Sequence, residues 1–237
     1  MFSVVLATAM LGSCGGGGSG TAAPPPVGLQ RVVFDDGGAF AAQRDLMTMI
    51  VEDTINLAST QLPVERVVVT IRNDATRTAP GYGLAGYATG PESVEIVLDA
   101  QFPDLEAVLP ERLSYVVAHE LHHTVRLRDP GPYTTLLEAL VFEGMADHFA
   151  VQLLNTELAP WSDTFPPADT SVYLERARLE FDSTFDFDAW FFGINSDLPQ
   201  WTIYTLGYRI LDDYFVANPE EDAVTLVNAP ANQFRPN

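Results

Sequence analysis

The sequence predicts an α+β single domain, with a small N-terminal β-sheet followed by a mainly helical part. Two runs of strand character, 64–72 (VERVVVTIR) and 93–99 (SVEIVLD), fall within the first hundred residues. The first is β-branched and bounded by Pro63 and Asn73-Asp74. The second alternates polar and apolar, as a half-buried strand does. From Pro110 onward the apolar residues recur at helical spacing, and strands followed by helices is the α+β order. At 237 residues, 47% of them hydrophobic, the chain suits one domain with a substantial core.

Charge excludes some partners. All 12 basic residues are arginine and the net charge is −20, so nucleic acid or an anionic lipid surface is not the main target. The acidity fits an exported, soluble domain.

Residues 2–12 (FSVVLATAMLG) form an apolar run too short to remain as a membrane span. Leu11-Gly12-Ser13-Cys14 and a glycine-rich stretch follow, with no Lys or Arg before the run. This resembles the lipobox of bacterial lipoproteins, which implies a signal peptide over 1–13 and a membrane anchor through lipid on Cys14. Residues 14–28 read as a Gly/Pro-rich tether, and 29–237 as the domain. The resemblance implies a lipoprotein of the cell envelope, at the outer membrane or periplasmic face. Cys14 is the only cysteine, so the mature domain has no intrachain disulfide.

Within the domain, 39–61 carries Phe40, Leu46, Ile50, Ile55 and Leu57 at helical spacing, and 74–92 is a Gly/Thr-rich loop with a short hairpin. A helix of about 18 residues begins at Pro110 and ends near Arg128. Arg126 and Arg128 suit the dipole of its last turn, and Asp129-Pro130-Gly131-Pro132 breaks it. The next helix, 134–155, is apolar on most faces and therefore deeply buried. A loop covers 157–170, helices cover 172–182 and 201–217, and the aromatic, acidic segment 185–201 between them either lines a substrate groove or caps the core, the cap being the favoured reading. Asp182, Asp186 and Asp188 lack calcium-loop spacing and read as a solvated loop.

His119-Glu120-Leu121-His122-His123 carries the chemistry. On a helix, His119 and His123 lie at i and i+4 and can hold one zinc ion, with Glu120 beside it as general base for a water. Two histidines need a third ligand. Glu143, on the next helix, is the favoured one; Glu138, Asp129 and His148 are the rivals. Asp147, one turn after Glu143, can accept a hydrogen bond from the far nitrogen of a ligating histidine. His122 faces elsewhere and reads as a packing group.

HELHH followed by EGMAD resembles the gluzincin class of metallopeptidases, and more closely a bacterial domain family of unknown function described as predicted Zn-dependent proteases. The likeness runs over roughly residues 80–215. It implies a zincin-like fold and hydrolysis of a peptide or protein substrate. By analogy it makes 93–99 an edge strand that takes extended peptide by β-augmentation. The family's Gly-Tyr-x-x-Gly-Tyr-like segment corresponds to Ile203-Tyr204-Thr205-Leu206-Gly207-Tyr208. Tyr204 or Tyr208, with Arg209 behind, is then the donor to the oxyanion. A zinc-binding structural or interaction lipoprotein without peptidase activity is the alternative, as is an interaction module in which the motif is fortuitous.

Overall fold

The computed structural model describes residues 30–236; the signal, lipidation and tether readings at 1–28 lie outside them. Its strands are β1 (Val32–Asp35), β2 (Val68–Asn73), β3 (Leu84–Gly90) and β4 (Ser93–Leu98), and its helices are α1 (Arg44–Ala58), α2 (Leu105–Arg128), α3 (Leu136–Leu154), α4 (Thr170–Arg178), α5 (Phe187–Phe192) and α6 (Thr202–Ala217). The expected order of sheet first and helices after holds within a single domain.

The sheet runs β1-β2-β4-β3, with β1, β2 and β4 parallel and β3 antiparallel to β4. β4 is therefore internal and β1 and β3 are the edges, which corrects the placement of the edge strand at 93–99. Strand 84–90 lies within the stretch read as a Gly/Thr-rich loop with a short hairpin, and its two glycines and two alanines have little strand propensity. Its pairing with β4 supplies what propensity does not, in the register Gly86↔Ile96 and Ala88↔Val94 with a bulge before Gly90. Val69, Ile71, Val94 and Ile96 are buried against the helices. On the same two strands Arg72 pairs with Glu95, and also with Asp35 of β1.

Two helix starts differ from the sequence expectation. α1 begins at Arg44 because Asp36 accepts hydrogen bonds from the Gly38 and Phe40 amides, holding 36–40 in a turn. α2 begins at Leu105, so Pro110 lies inside it. Pro110 and Glu106 are both exposed, so the Glu106 carbonyl that loses its donor faces water. α3 opens with a capping box between Thr135 and Glu138. α3 and α6 cross closely: a Cβ on Gly144 would sit 2.4 Å from the Gly207 carbonyl carbon. Only glycine at both positions permits that approach.

The aromatic segment 185–201 packs on the core, as a core cap does. Trp190 and Phe191 are buried, while Phe185, Phe187, Phe192 and Trp201 keep part of their surface in solvent.

Candidate metal centre

His119 and His123 project from one face of α2, their rings edge-to-face with centroids 4.5 Å apart. α3 brings Glu143 up to them: its Oε2 lies 3.3 Å from Nε2 of both histidines. All are nearly inaccessible, His119 and His123 at 5% exposure, Glu143 at 5% and Glu120 at 6%. Four ionisable groups sunk this deeply in an apolar core need compensation.

Asp147, one turn on from Glu143, is fully buried and accepts three hydrogen bonds. His119 Nδ1–H donates to its Oδ1 at 2.8 Å and the Tyr115 hydroxyl to the same oxygen at 3.0 Å, while the Ser162 hydroxyl donates to Oδ2. The tautomer follows from that network. A neutral His119 protonated at Nδ1 turns a bare lone pair at Nε2 toward the Glu143 carboxylate. Two lone pairs facing each other repel unless a cation or a proton stands between them. Oxygen and nitrogen ligands bound tetrahedrally at about 2.0–2.1 Å lie about 3.3 Å apart. The two observed separations of 3.3 Å match that figure. The donor set, two imidazoles and one carboxylate, therefore fits a zinc ion with one position left for substrate or water.

Without a metal, protons take up part of this role. Burial opposes a charged His119, but Asp147 and Glu143 outweigh it and raise its pKa well above 6.5. Burial would raise Glu143; His123 and His119 reverse this and hold it at about 2. Glu120 is raised, chiefly by burial and further by Glu143, against the pull of the two histidines. A bound dication inverts this balance, favouring neutral imidazoles and ionised carboxylates.

Glu120 is held by edge strand β3. The Ala88 amide donates to its Oε2 at 2.7 Å. Gly86, two residues earlier on β3, gives the side chain room, since a Cβ there would stand 2.5 Å from Glu120 Cγ. His119, Glu120 and His123 together offer ligand atoms within 4.8 Å of one another.

The two tyrosines picked out in the sequence part company. The Tyr204 ring lies 6.4 Å from that of His119, and burial followed by Glu143 pushes its phenol well above 10. Tyr208 stacks flat on His148, centroids 3.9 Å apart, and is not brought to the histidine pair. Arg209 binds Asp163, Phe165 and Thr170 instead. Among the rival ligands, Glu138 is engaged in its helix cap, His148 donates to the Tyr208 carbonyl, and Asp129 is exposed at the end of α2. His122 turns to the back of α2, where its Nε2–H donates to the Ala223 carbonyl. One turn on, Arg126 reaches the carbonyls of Val227 and Ala229. These two side chains latch the C-terminal segment onto the helix that carries the site.

Sequence reasoning missed Tyr115, Ser162, Tyr133 and the Ala88 amide. Tyr115 was within reach, standing four residues before His119 in the same i, i+4 series. Ser162 and Tyr133 come from loops with no periodic signal, and a backbone amide leaves no trace in residue type. Tyr133 packs edge-on to Phe142, which stacks on His123 with centroids 4.0 Å apart. Its phenol is raised by burial and then by Glu143 and Glu120. A recess of about 620 Å³ lined by Arg176, Glu180, Asp186 and Trp190 contains none of these groups, so the chemistry does not lie there.

The profile of a family described as "Predicted Zn-dependent protease" matches residues 45–235, which includes every side chain of the centre. No curated protein matches the chain, and no solved structure does.

Proposed function

The chain belongs to this family of predicted zinc-dependent proteases, and on that premise we propose that it hydrolyses peptide bonds, with a zinc ion held by His119, His123 and Glu143. The observation that carries the reading is the equal 3.3 Å approach of Glu143 Oε2 to both imidazole nitrogens. When bound, zinc supplies Lewis acidity, polarising a carbonyl and lowering the pKa of a water toward about 7. Glu120 accepts the proton of the attacking water and delivers it to the departing amine. The Ala88 amide keeps its carboxylate aimed during both transfers. Asp147 fixes the His119 tautomer and makes the imidazole a stronger donor. Tyr204, protonated at any physiological pH and without a hydrogen-bond partner among the described residues, is the donor to the oxyanion as charge develops.

Two variants test this. Glu120→Gln is expected to keep one zinc per chain and lose hydrolysis, whereas His123→Ala loses both. Unchanged hydrolysis in the Gln variant refutes the mechanism. Metal retained by a wild-type chain that cuts no peptide points to the zinc-binding structural alternative. We also propose that Cys14 carries lipid and tethers the domain to the cell envelope, a reading supported by Leu11-Gly12-Ser13-Cys14. Cys14→Ser should then move the chain from the membrane to the soluble fraction of a bacterial host. No helix among the described residues is long and apolar enough to cross a membrane.

A further inference from the structure

The aromatic side chains around the centre form a continuous arc. On one side it runs from His123 through Phe142 to Tyr133 and on to Phe185, with centroids 4.0, 5.3 and 6.3 Å apart in turn. On the other side it runs from His119 to Tyr204, then Phe191 and Phe187, with centroids 6.4, 5.5 and 4.1 Å apart. Both arms end on the short segment 185–192. Tyr133, Phe185, Phe187 and Tyr204 all remain partly exposed, although the fold buries Trp190 and Phe191 from the same segment. These four rings pack against the core on one side and keep a contiguous part-exposed face that runs on from the centre, the kind of apolar surface that lines a ligand site beside a few polar groups.

We propose that Tyr133, Phe185, Phe187 and Tyr204 form the subsite for a bulky apolar side chain of the substrate next to the scissile bond. This rests on the peptidase reading above. The four rings supply dispersion and apolar area, and their edges match an aromatic or long aliphatic group. Among the described residues no arginine stacks on Tyr133, Phe185, Phe187 or Tyr204, and the exposed Asp186 and Asp188 flank them on the same segment. An acidic substrate side chain is therefore disfavoured by desolvation and by like charge, and an apolar one is selected.

The test measures binding, not turnover. The zinc-loaded full chain is titrated calorimetrically with three hydroxamates: acetohydroxamate, which needs only the metal, phenylacetohydroxamate, and the monohydroxamate of succinate. The phenyl compound should bind on the order of tenfold or more tighter than the methyl compound, and the carboxylate more weakly than either. In Phe185→Ser/Phe187→Ser the phenyl advantage should vanish while acetohydroxamate affinity stays as in the wild type. Equal affinities in the wild type, or an advantage that survives the double substitution, overturn the subsite. Should the variant fail to fold, acetohydroxamate binding is lost with it and the wild-type ranking decides alone. A wild type that binds no acetohydroxamate overturns the metallopeptidase reading itself, and the subsite falls with it.

Discussion

Gly86→Ala is the substitution that most sharply separates the base from the metal. The new Cβ would lie 2.5 Å from Glu120 Cγ, 2.6 Å from Val116 Cγ1 and 2.7 Å from Glu120 Oε1. Ordinary contact starts at 3.4 Å, so the Glu120 side chain or the strand must move by about 0.9 Å, which is 3.4 minus 2.5. Either movement strains the 2.7 Å hydrogen bond from the Ala88 amide. A displacement of about 1 Å in a catalytic group costs on the order of a hundredfold in rate, equivalent to about 2.7 kcal/mol of barrier. The overpacking itself should cost about 1–3 kcal/mol of stability. The three atoms nearest the new Cβ belong to Glu120 and Val116, not to His119, His123 or Glu143, so the metal should stay. The assay combines hydrolysis of a quenched fluorescent peptide library, zinc content by elemental mass spectrometry, and urea unfolding. Activity within threefold of wild type would mean that the β3 contact does not position the base. Loss of zinc together with activity would mean that it is not specific to the base.

Three further outcomes follow from the same geometry. Asp147→Asn replaces an acceptor for His119, Tyr115 and Ser162, and zinc affinity by chelator competition should fall about 10- to 100-fold; unchanged affinity would show that Asp147 does not tune the site. Gly144→Ala drives a methyl into the Gly207 backbone and should destabilise the domain by about 1–3 kcal/mol in urea, with a smaller loss if α6 slides as a unit. The metal-free protein should be most stable near pH 6.5. Below that value the neutral, depressed His122 and His148 favour the unfolded state, which binds more protons. Above it the raised His119 holds a proton that the unfolded chain has released, so stability falls by at most about 1.4 kcal/mol per pH unit up to its folded pKa. One equivalent of zinc should abolish the alkaline fall, since the ion replaces that proton; thermal melts across pH decide, and a curve that keeps rising above pH 7 contradicts the His119–Asp147 pairing.

The local part of the centre was legible because helices have a fixed period. His119 and His123, like Glu143 and Asp147, are pairs four residues apart, and that spacing puts each pair on one face however the helices are later packed. Arg126, also read from the sequence, turned out to do more than complement a dipole: it is buried and holds the C-terminal carbonyls. The α+β order was equally readable, since the strand runs at 64–72 and 93–99 precede the long helical runs and only α1 falls among the strands.

By itself the sequence pointed to His119, Glu120 and His123 as one group and to Glu143 and Asp147 as another, because each group depends on rise and twist within its own helix, while the packing of α3 on α2 brings the two together. Only the tertiary structure decided that β3 rather than β4 is an edge, that the Ala88 amide holds Glu120, that Ser162 joins Asp147, and that Tyr204 and Tyr133 face the centre while Tyr208 stacks on His148. Those facts depend on strand pairing and on the Gly144–Gly207 crossing, contacts between residues tens of positions apart. Such contacts are set by packing the whole core at once, and no local periodicity encodes them.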